Sequence, residues 1–229
     1  MSIFLEHVIN SFKQRPAESS DSINVKKSES RKVLNVGGNS KDIPIPNQYD
    51  GWEHVLLDID AEGNPDVVCD ARELTDLPQA NYDSIYCSHN LEHYYRHDVE
   101  KVLTGFLHVL KDDGFAYIRV PDMGELMKIV VQRDLDIDDF LYQSPSGPIA
   151  VIDVIYGYGK EIARSGQDFF AHKTGFTQKS LKDTLLRAGF TAVYIRPGEL
   201  EILAVAFKNK PSHYAANLLN IQLGIQHDQ

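Results

Sequence analysis

The sequence predicts an α/β fold in which a mostly parallel sheet ends in an antiparallel hairpin. Three observations carry this expectation. Short apolar runs of strand length alternate with stretches of helical period from residue 32 onward. The early runs end in Gly, Asp, Ser or His, as expected where strands give way to loops. The last two runs, 192–195 and 202–207, flank Pro197-Gly198, a connection too short for the crossover that parallel strands require.

Taken in order, residues 2–12 read as a short amphipathic helix with Leu5, Val8, Ile9 and Phe12 on one side, and 15–31 as a polar linker. Lys32–Val36 is the first strand, followed by Gly37-Gly38-Asn39-Ser40. His54–Ile59, Asp66–Cys69 and Ser84–Cys87 are the next three strands, the last entering Ser88-His89-Asn90. Val99, Val102, Leu103, Phe106, Leu107 and Leu110 recur at helical spacing, and Asp112-Asp113-Gly114 turns the chain into a fifth strand, Phe115–Val120. Asp122 is an N-cap for a helix bearing Leu126, Ile129 and Val130. Residues 134–172 lose the rhythm and read as an insertion over the sheet edge, a lid. Thr177 caps a helix with Leu181, Leu185 and Leu186 that Gly189 closes. The chain therefore divides into an N-terminal helix and linker (1–31), a sheet domain (32–207) and a C-terminal tail (208–229).

Composition excludes several classes. Among 229 residues, 23 Lys and Arg against 33 Asp and Glu give a net charge of −10, which lacks the broad basic surface of a nucleic-acid binder. No apolar run approaches the roughly 18–20 residues of a membrane span. Met1–Asn10 carries Glu6 and His7, a poor secretory signal. Two cysteines, Cys69 and Cys87, make no disulfide framework. A cytoplasmic protein without nucleic-acid or membrane partners is expected.

In an open α/β sheet, ligands bind beyond the carboxyl ends of the strands. Gly37-Gly38 there lets a ligand approach the backbone closely. Asp58, about 20 residues on, is placed to accept from a ribose diol, and Asp70 from an adenine amino group. His89-Asn90-Leu91-Glu92-His93 also reads H-x-x-E-H, a zinc-peptidase pattern, but it directly follows a strand instead of lying within a helix. No metal is assigned. The isolated histidines His7, His54, His97, His108, His213 and His227 read as structural or exposed, and Tyr156, Tyr158, Phe169 and Phe170 as packing residues.

The order of these segments resembles the class I S-adenosylmethionine-dependent methyltransferases. The resemblance rests on Val33-Leu34-Asn35-Val36-Gly37-Gly38, Leu57-Asp58-Ile59-Asp60, Cys69-Asp70-Ala71 and Tyr82 through His93, continued by Val109 through Gly114. Val120-Pro121-Asp122 and His172 through Thr177 are similar to a subgroup associated with saccharide or other small-molecule methylation. The resemblance implies a Rossmann-like three-layer sandwich with strand order 3-2-1-4-5-7-6. It implies S-adenosylmethionine as cofactor, Gly37 and its neighbours Asn35, Gly38 and Asn39 at the methionine part, and Asp58 on the ribose. Ile59 would lie against the adenine, Asp70 and Ala71 at its edge, and Ser88 and His89 near the sulfonium. His93, Asp122 and His172 fall on the acceptor side as base candidates, or as orienting groups if the acceptor is an amine. The implied activity is methyl transfer to a small polar acceptor such as a sugar or amino sugar.

One departure counts against this. The family's first loop reads acidic-x-Gly-x-Gly-x-Gly, whereas Asn35 here replaces the acid, Asn39 the second Gly and Lys41 the third. A cation at Lys41 is unfavourable beside a sulfonium. This leaves open a non-catalytic methyltransferase-fold protein that binds a metabolite or partner. A dinucleotide binder is disfavoured because no G-x-G-x-x-G occurs. With the implied strand order, strands three and four are three spacings, roughly 14 Å, apart, so Cys69 and Cys87 should be free thiols. Leu218, Leu219, Ile221, Leu223 and Ile225 either pack back on the domain or pair with a second subunit in a homodimer.

Overall fold

The structure is a computed structural model that describes residues 30–222. The expected helix at 2–12 and most of the linker lie outside the described residues, as do Leu223 and Ile225. Seven strands form one sheet: β1 (Lys32–Val36), β2 (Glu53–Asp58), β3 (Val67–Val68), β4 (Tyr82–Ser88), β5 (Leu110–Pro121), β8 (Ala192–Pro197) and β9 (Glu201–Phe207). A separate two-stranded hairpin joins β6 (Phe140–Ser144) to β7 (Gly147–Ala150). The sheet order is β3-β2-β1-β4-β5-β9-β8, the expected 3-2-1-4-5-7-6 once the hairpin strands are set aside. All pairs up to β4–β5 are parallel, and β5–β9 and β8–β9 are antiparallel. Cys69 and Cys87 are free, as this topology requires.

The alternation of β1 explains the layering. Leu34 and Val36 face one core with Val102, Leu103 and Phe106 of α1 (Arg96–Val109) and Leu181 and Leu185 of α5 (Gln178–Ala188). Val33 faces the opposite core with Tyr49, Tyr86, Phe115 and Phe207. Leu219, just beyond α6 (His213–Leu218), is buried in that second core, and Leu218 and Ile221 pack against it. The described part of the apolar tail therefore packs back on its own sheet.

Three expectations need correction. Asp112-Asp113-Gly114 does not separate helix from strand, because β5 begins at Leu110. Leu110 pairs with Tyr82 and Phe115 with Ser84, so residues 111–114 bulge opposite Asp83, where Lys111 Nζ reaches Asp83 at 2.9 Å. Leu186, expected on the apolar face of α5, is 42% exposed. Residues 134–172 also do more than cover the sheet edge. They fold as the hairpin, α3 (Val151–Tyr156), α4 (Gly159–Ser165) and a 3-10 turn at Asp168–Phe170, and they help wall two cavities at the carboxyl ends of the strands. Hairpin and α3 pack on α2 (Met123–Arg133) through Leu126, Leu141, Ile149, Val151 and Val154.

Candidate functional site

Four strands deliver the site. The chain leaves β1 through Gly37 at φ +70, where an added Cβ would lie 2.0 Å from Asn90 Nδ2, so only glycine fits this turn. Asn39 follows at φ +60, a conformation Asn tolerates, and its amide donates to Asp58 Oδ2 at 2.8 Å. The Asp60 amide donates to Asp58 Oδ1 at 3.0 Å. Asp58 at the end of β2 thereby ties the first two loops together. Lys41 is turned away: its Nζ pairs with Asp66 at 2.6 Å, and it does not line the cleft. The electrostatic objection raised by the sequence is removed by this pairing.

A cavity of about 270 Å³ lies above these ends, lined by Gly37, Asn39, Asp58, Ile59, Asp70 and His89 among the residues expected there. The other four expected residues do not line it. Asn35 is buried and donates to His54 Nε2 at 3.2 Å. Gly38 packs on the Asn35 side chain, Ala71 is buried in the core, and Ser88 ends β4 without reaching the cavity. Asp70 is shared: it caps the Ala71–Asp76 turn and chelates Arg72 through Nε and Nη2. Burial alone would raise its pKa, but the Arg72 hydrogen bonds hold it below the usual carboxylate range. Sequence reasoning missed Asn90, Tyr94, Tyr95, Asp98 and Lys173, and it assigned Phe169 and Phe170 to packing although both line this cavity. Only the fold brings residues 168–173 against the first two loops.

A second cavity of about 440 Å³ adjoins it, lined by His89, Pro121, Tyr142, Gln143, Asp153, Tyr158, His172, Glu199 and Glu201 among others. His89 is common to both cavities and adopts φ +49, a left-handed conformation uncommon for a non-glycine residue. Its Nε2 is 3.3 Å from Glu201 Oε2, and its Nδ1 is 3.5 Å from Glu92 Oε1. Burial by itself lowers the pKa of His89, but Glu201 and Glu92 outweigh burial and raise it to about 9. The Glu201 carboxylate also takes a forked contact from Arg119, with Nη2 at 2.8 and 2.7 Å. His89 first, and then Arg119, bring its pKa down to about 2 against the opposing effect of burial.

Of the three acceptor-side candidates, the structure brings two together. His93 and His172 stack edge to face with ring centres 4.9 Å apart. Burial lowers the His172 pKa, partly opposed by Glu92. Asp122 is elsewhere engaged: Oδ1 accepts the Gly124 and Glu125 amides at the start of α2, Oδ2 accepts Gln178 Nε2 at 3.0 Å, and neither cavity is lined by it. It is a helix cap, and the base role considered for it has no support in this geometry.

Residues 28–118 match the family model described as "Methyltransferase domain", which spans β1 through most of β5. No curated protein matches the sequence. Among solved structures, a SAM-dependent methyltransferase from Archaeoglobus fulgidus is similar at 17% identity and TM-score 0.50, covering 78% of this chain and 86% of that one. A SAM-dependent methyltransferase from Methanosarcina mazei is similar at 15% identity and TM-score 0.51, with 80% and 94% covered. A protein of Pyrococcus horikoshii OT3 matches at 16% identity and TM-score 0.50, with 79% and 84% covered. Residues 28–118 thus match a methyltransferase domain, and the chain shares the fold of S-adenosylmethionine-dependent methyltransferases.

The residues present fit that cofactor. Five carboxylates, Asp58, Asp60, Asp70, Asp98 and Asp168, against Arg72, Lys173 and His89 leave the cleft with an acidic lining suited to a cation. Asn90 Oδ1 is buried without a hydrogen-bond partner beside Gly37, and so is available to a donor on a ligand.

Proposed function

We propose that this protein is an S-adenosylmethionine-dependent methyltransferase that acts on a small polar acceptor, a sugar or amino sugar, held in the 440 Å³ cavity, and that it works in the cytoplasm as a sheet domain of residues 32–207. The observation that carries this reading is the meeting of the two cavities at His89, which joins the cleft over the first two loops to a second cavity lined by both polar and apolar side chains. When bound, S-adenosylmethionine supplies a methyl group on a positively charged sulfur. Gly37, Asn39, Asp58, Ile59, Asp70 and His89 hold it in this reading, with Asn90 added.

The chamber's lining supports the acceptor class. Tyr142, Tyr158 and Gln143 offer hydrogen-bonding groups for hydroxyls, and Asp153, Glu199 and Glu201 offer acids for an ammonium group. A cavity of this volume suits a small molecule better than a macromolecular strand. His93 and His172 orient the acceptor at the wall between cavities. Alignment of acceptor and methyl donor is the main contribution asked of the protein.

Two measurements test this. Calorimetry with S-adenosylhomocysteine should show one site per chain; absence of binding would sink methyl transfer altogether. Release of S-adenosylhomocysteine should then rise with an amino sugar or sugar in a panel of small acceptors. Cofactor binding with no turnover on any saccharide, but turnover on another class, would remove the acceptor assignment alone.

A further inference from the structure

Glu92 poses a problem that the cofactor and acceptor reading leaves unsolved. Its side chain is 1% exposed, and neither carboxylate oxygen has a hydrogen-bond partner. His89 at 3.5 Å meets part of its charge from one side, and a buried carboxylate is otherwise satisfied by hydrogen bonds or by a metal. Its backbone is well held, since the Glu92 carbonyl accepts the amides of Lys173 and Thr174, and this draws His172 over the side chain.

The two histidines beside it are set in a particular way. His93 Nδ1 is 3.1 Å from the Ala171 carbonyl, and His172 Nδ1 is 2.9 Å from the Val154 carbonyl. A carbonyl can only accept, so each Nδ1 carries the hydrogen, and in the neutral ring Nε2 is a bare lone pair. This backbone tether on the far nitrogen is the usual support of a metal-ligating imidazole. His172 Nε2 is 3.9 Å from Glu92 Oε1, and one ligand atom from each of Glu92, His93 and His172 lies within 4.8 Å of the others. The two bare Nε2 lone pairs and the carboxylate converge with no donor among these three side chains, a set that a cation would satisfy. His89 faces Glu92 from the other side at 3.5 Å, and its ring is shared with Glu201.

The geometry points to a binding site for a divalent first-row transition ion, of the Zn²⁺ or Fe²⁺ type, formed by the Glu92 carboxylate and the Nε2 atoms of His93 and His172. Two imidazoles and one carboxylate are a ligand set for such ions and not for Mg²⁺ or Ca²⁺, which prefer oxygen. Ligand atoms around a tetrahedral zinc are roughly 3.4 Å apart, so small side-chain rotations close the set. Three protein ligands leave coordination positions open. His93 lines the cofactor cleft and His172 the second cavity, so an ion here stands in the wall between them. This is not the peptidase arrangement that the H-x-x-E-H spacing suggests, because His89 is not a ligand and Glu92 is one. That the ion orients the acceptor rests on the proposed function; that it binds does not.

The test uses tag-free full-length protein stripped with chelator. Titration with ZnCl₂ should give one site per chain, and the affinity should fall about tenfold or more in His93→Ala and His172→Ala. His97→Ala, at an exposed histidine outside the set, should bind as the parent does. Circular dichroism and melting temperature of the same variants report whether the fold survives. Co²⁺ added to the unaltered protein should give visible absorption bands that Zn²⁺ abolishes, a readout independent of any variant. Absence of stoichiometric Zn²⁺ binding, absence of displaceable Co²⁺ bands, or Zn²⁺ affinity unchanged in both triad variants would overturn the site. Failure to bind S-adenosylhomocysteine with Zn²⁺ binding intact would instead count against the methyltransferase reading.

Discussion

Asp58 joins two loops through two backbone amides, from Asn39 and Asp60, while remaining in the cofactor cleft. Asp58→Ala strands both amides, and each unmet buried donor costs about 1–3 kcal/mol. S-Adenosylhomocysteine affinity is expected to fall at least about tenfold, with Asp58→Asn falling less because it keeps one acceptor oxygen; equal affinity in all three proteins would refute the linkage. Glu201 yields a pH prediction. His89 and then Arg119 depress its folded pKa from 4.5 to about 2. A depressed carboxylate stabilises the fold fully above its unfolded pKa and loses that contribution as pH falls through the folded value. The melting-temperature gap between the unaltered protein and Glu201→Gln should therefore be widest between about pH 4.5 and 6.5, shrink toward pH 2, and narrow again as His89 loses its proton near pH 9; a gap independent of acid pH would contradict the pairing. Asp58 and His89 were legible from sequence because they end strands. The pairing of Lys41 with Asp66 was not, since 25 residues separate partners that only the turn of the loops brings together.

Among the elements, α2 shows how one residue type can serve two readings. Asp122 follows β5 and precedes the helix, so both a cap and a base were consistent with its position. The cap is what forms, with two amides on Oδ1 and Gln178 on Oδ2. Asp122→Ala should lower unfolding free energy by roughly 1–2 kcal/mol in urea titration while leaving S-adenosylhomocysteine affinity unchanged; a large loss of affinity at full stability would return Asp122 to the site. The hairpin and short helices of 134–172 were legible only as a break in periodicity. Their strands and helices are four to seven residues long, too short for a helical or alternating pattern to repeat.

The whole molecule is held by the sheet and the helices on its larger core, where Phe106 of α1 is fully buried. Phe106→Ala should cost about 3–5 kcal/mol by leaving a cavity under the sheet, read as a shift in urea midpoint at unchanged slope. A change below 1 kcal/mol would mean that the core collapses to fill the gap. At this scale the parallel sheet and the C-terminal hairpin follow from pattern alone, whereas the strand order was implied by the resemblance to the class I methyltransferases. Periodicity and connection length are local properties, and an α/β layer has few ways to bury alternating strands and helices. Six of the ten residues expected at the cofactor end line the first cavity because they follow strand ends in chain order, while Asn35, Gly38, Ala71 and Ser88 do not. The convergence of Glu92 and His93 with His172, and the meeting of two cavities at His89, were not. Such contacts join residues about 80 to 110 positions apart: packing of the 134–172 segment brings His172 to Glu92, and the pairing of β9 with β5 brings Glu201 to His89.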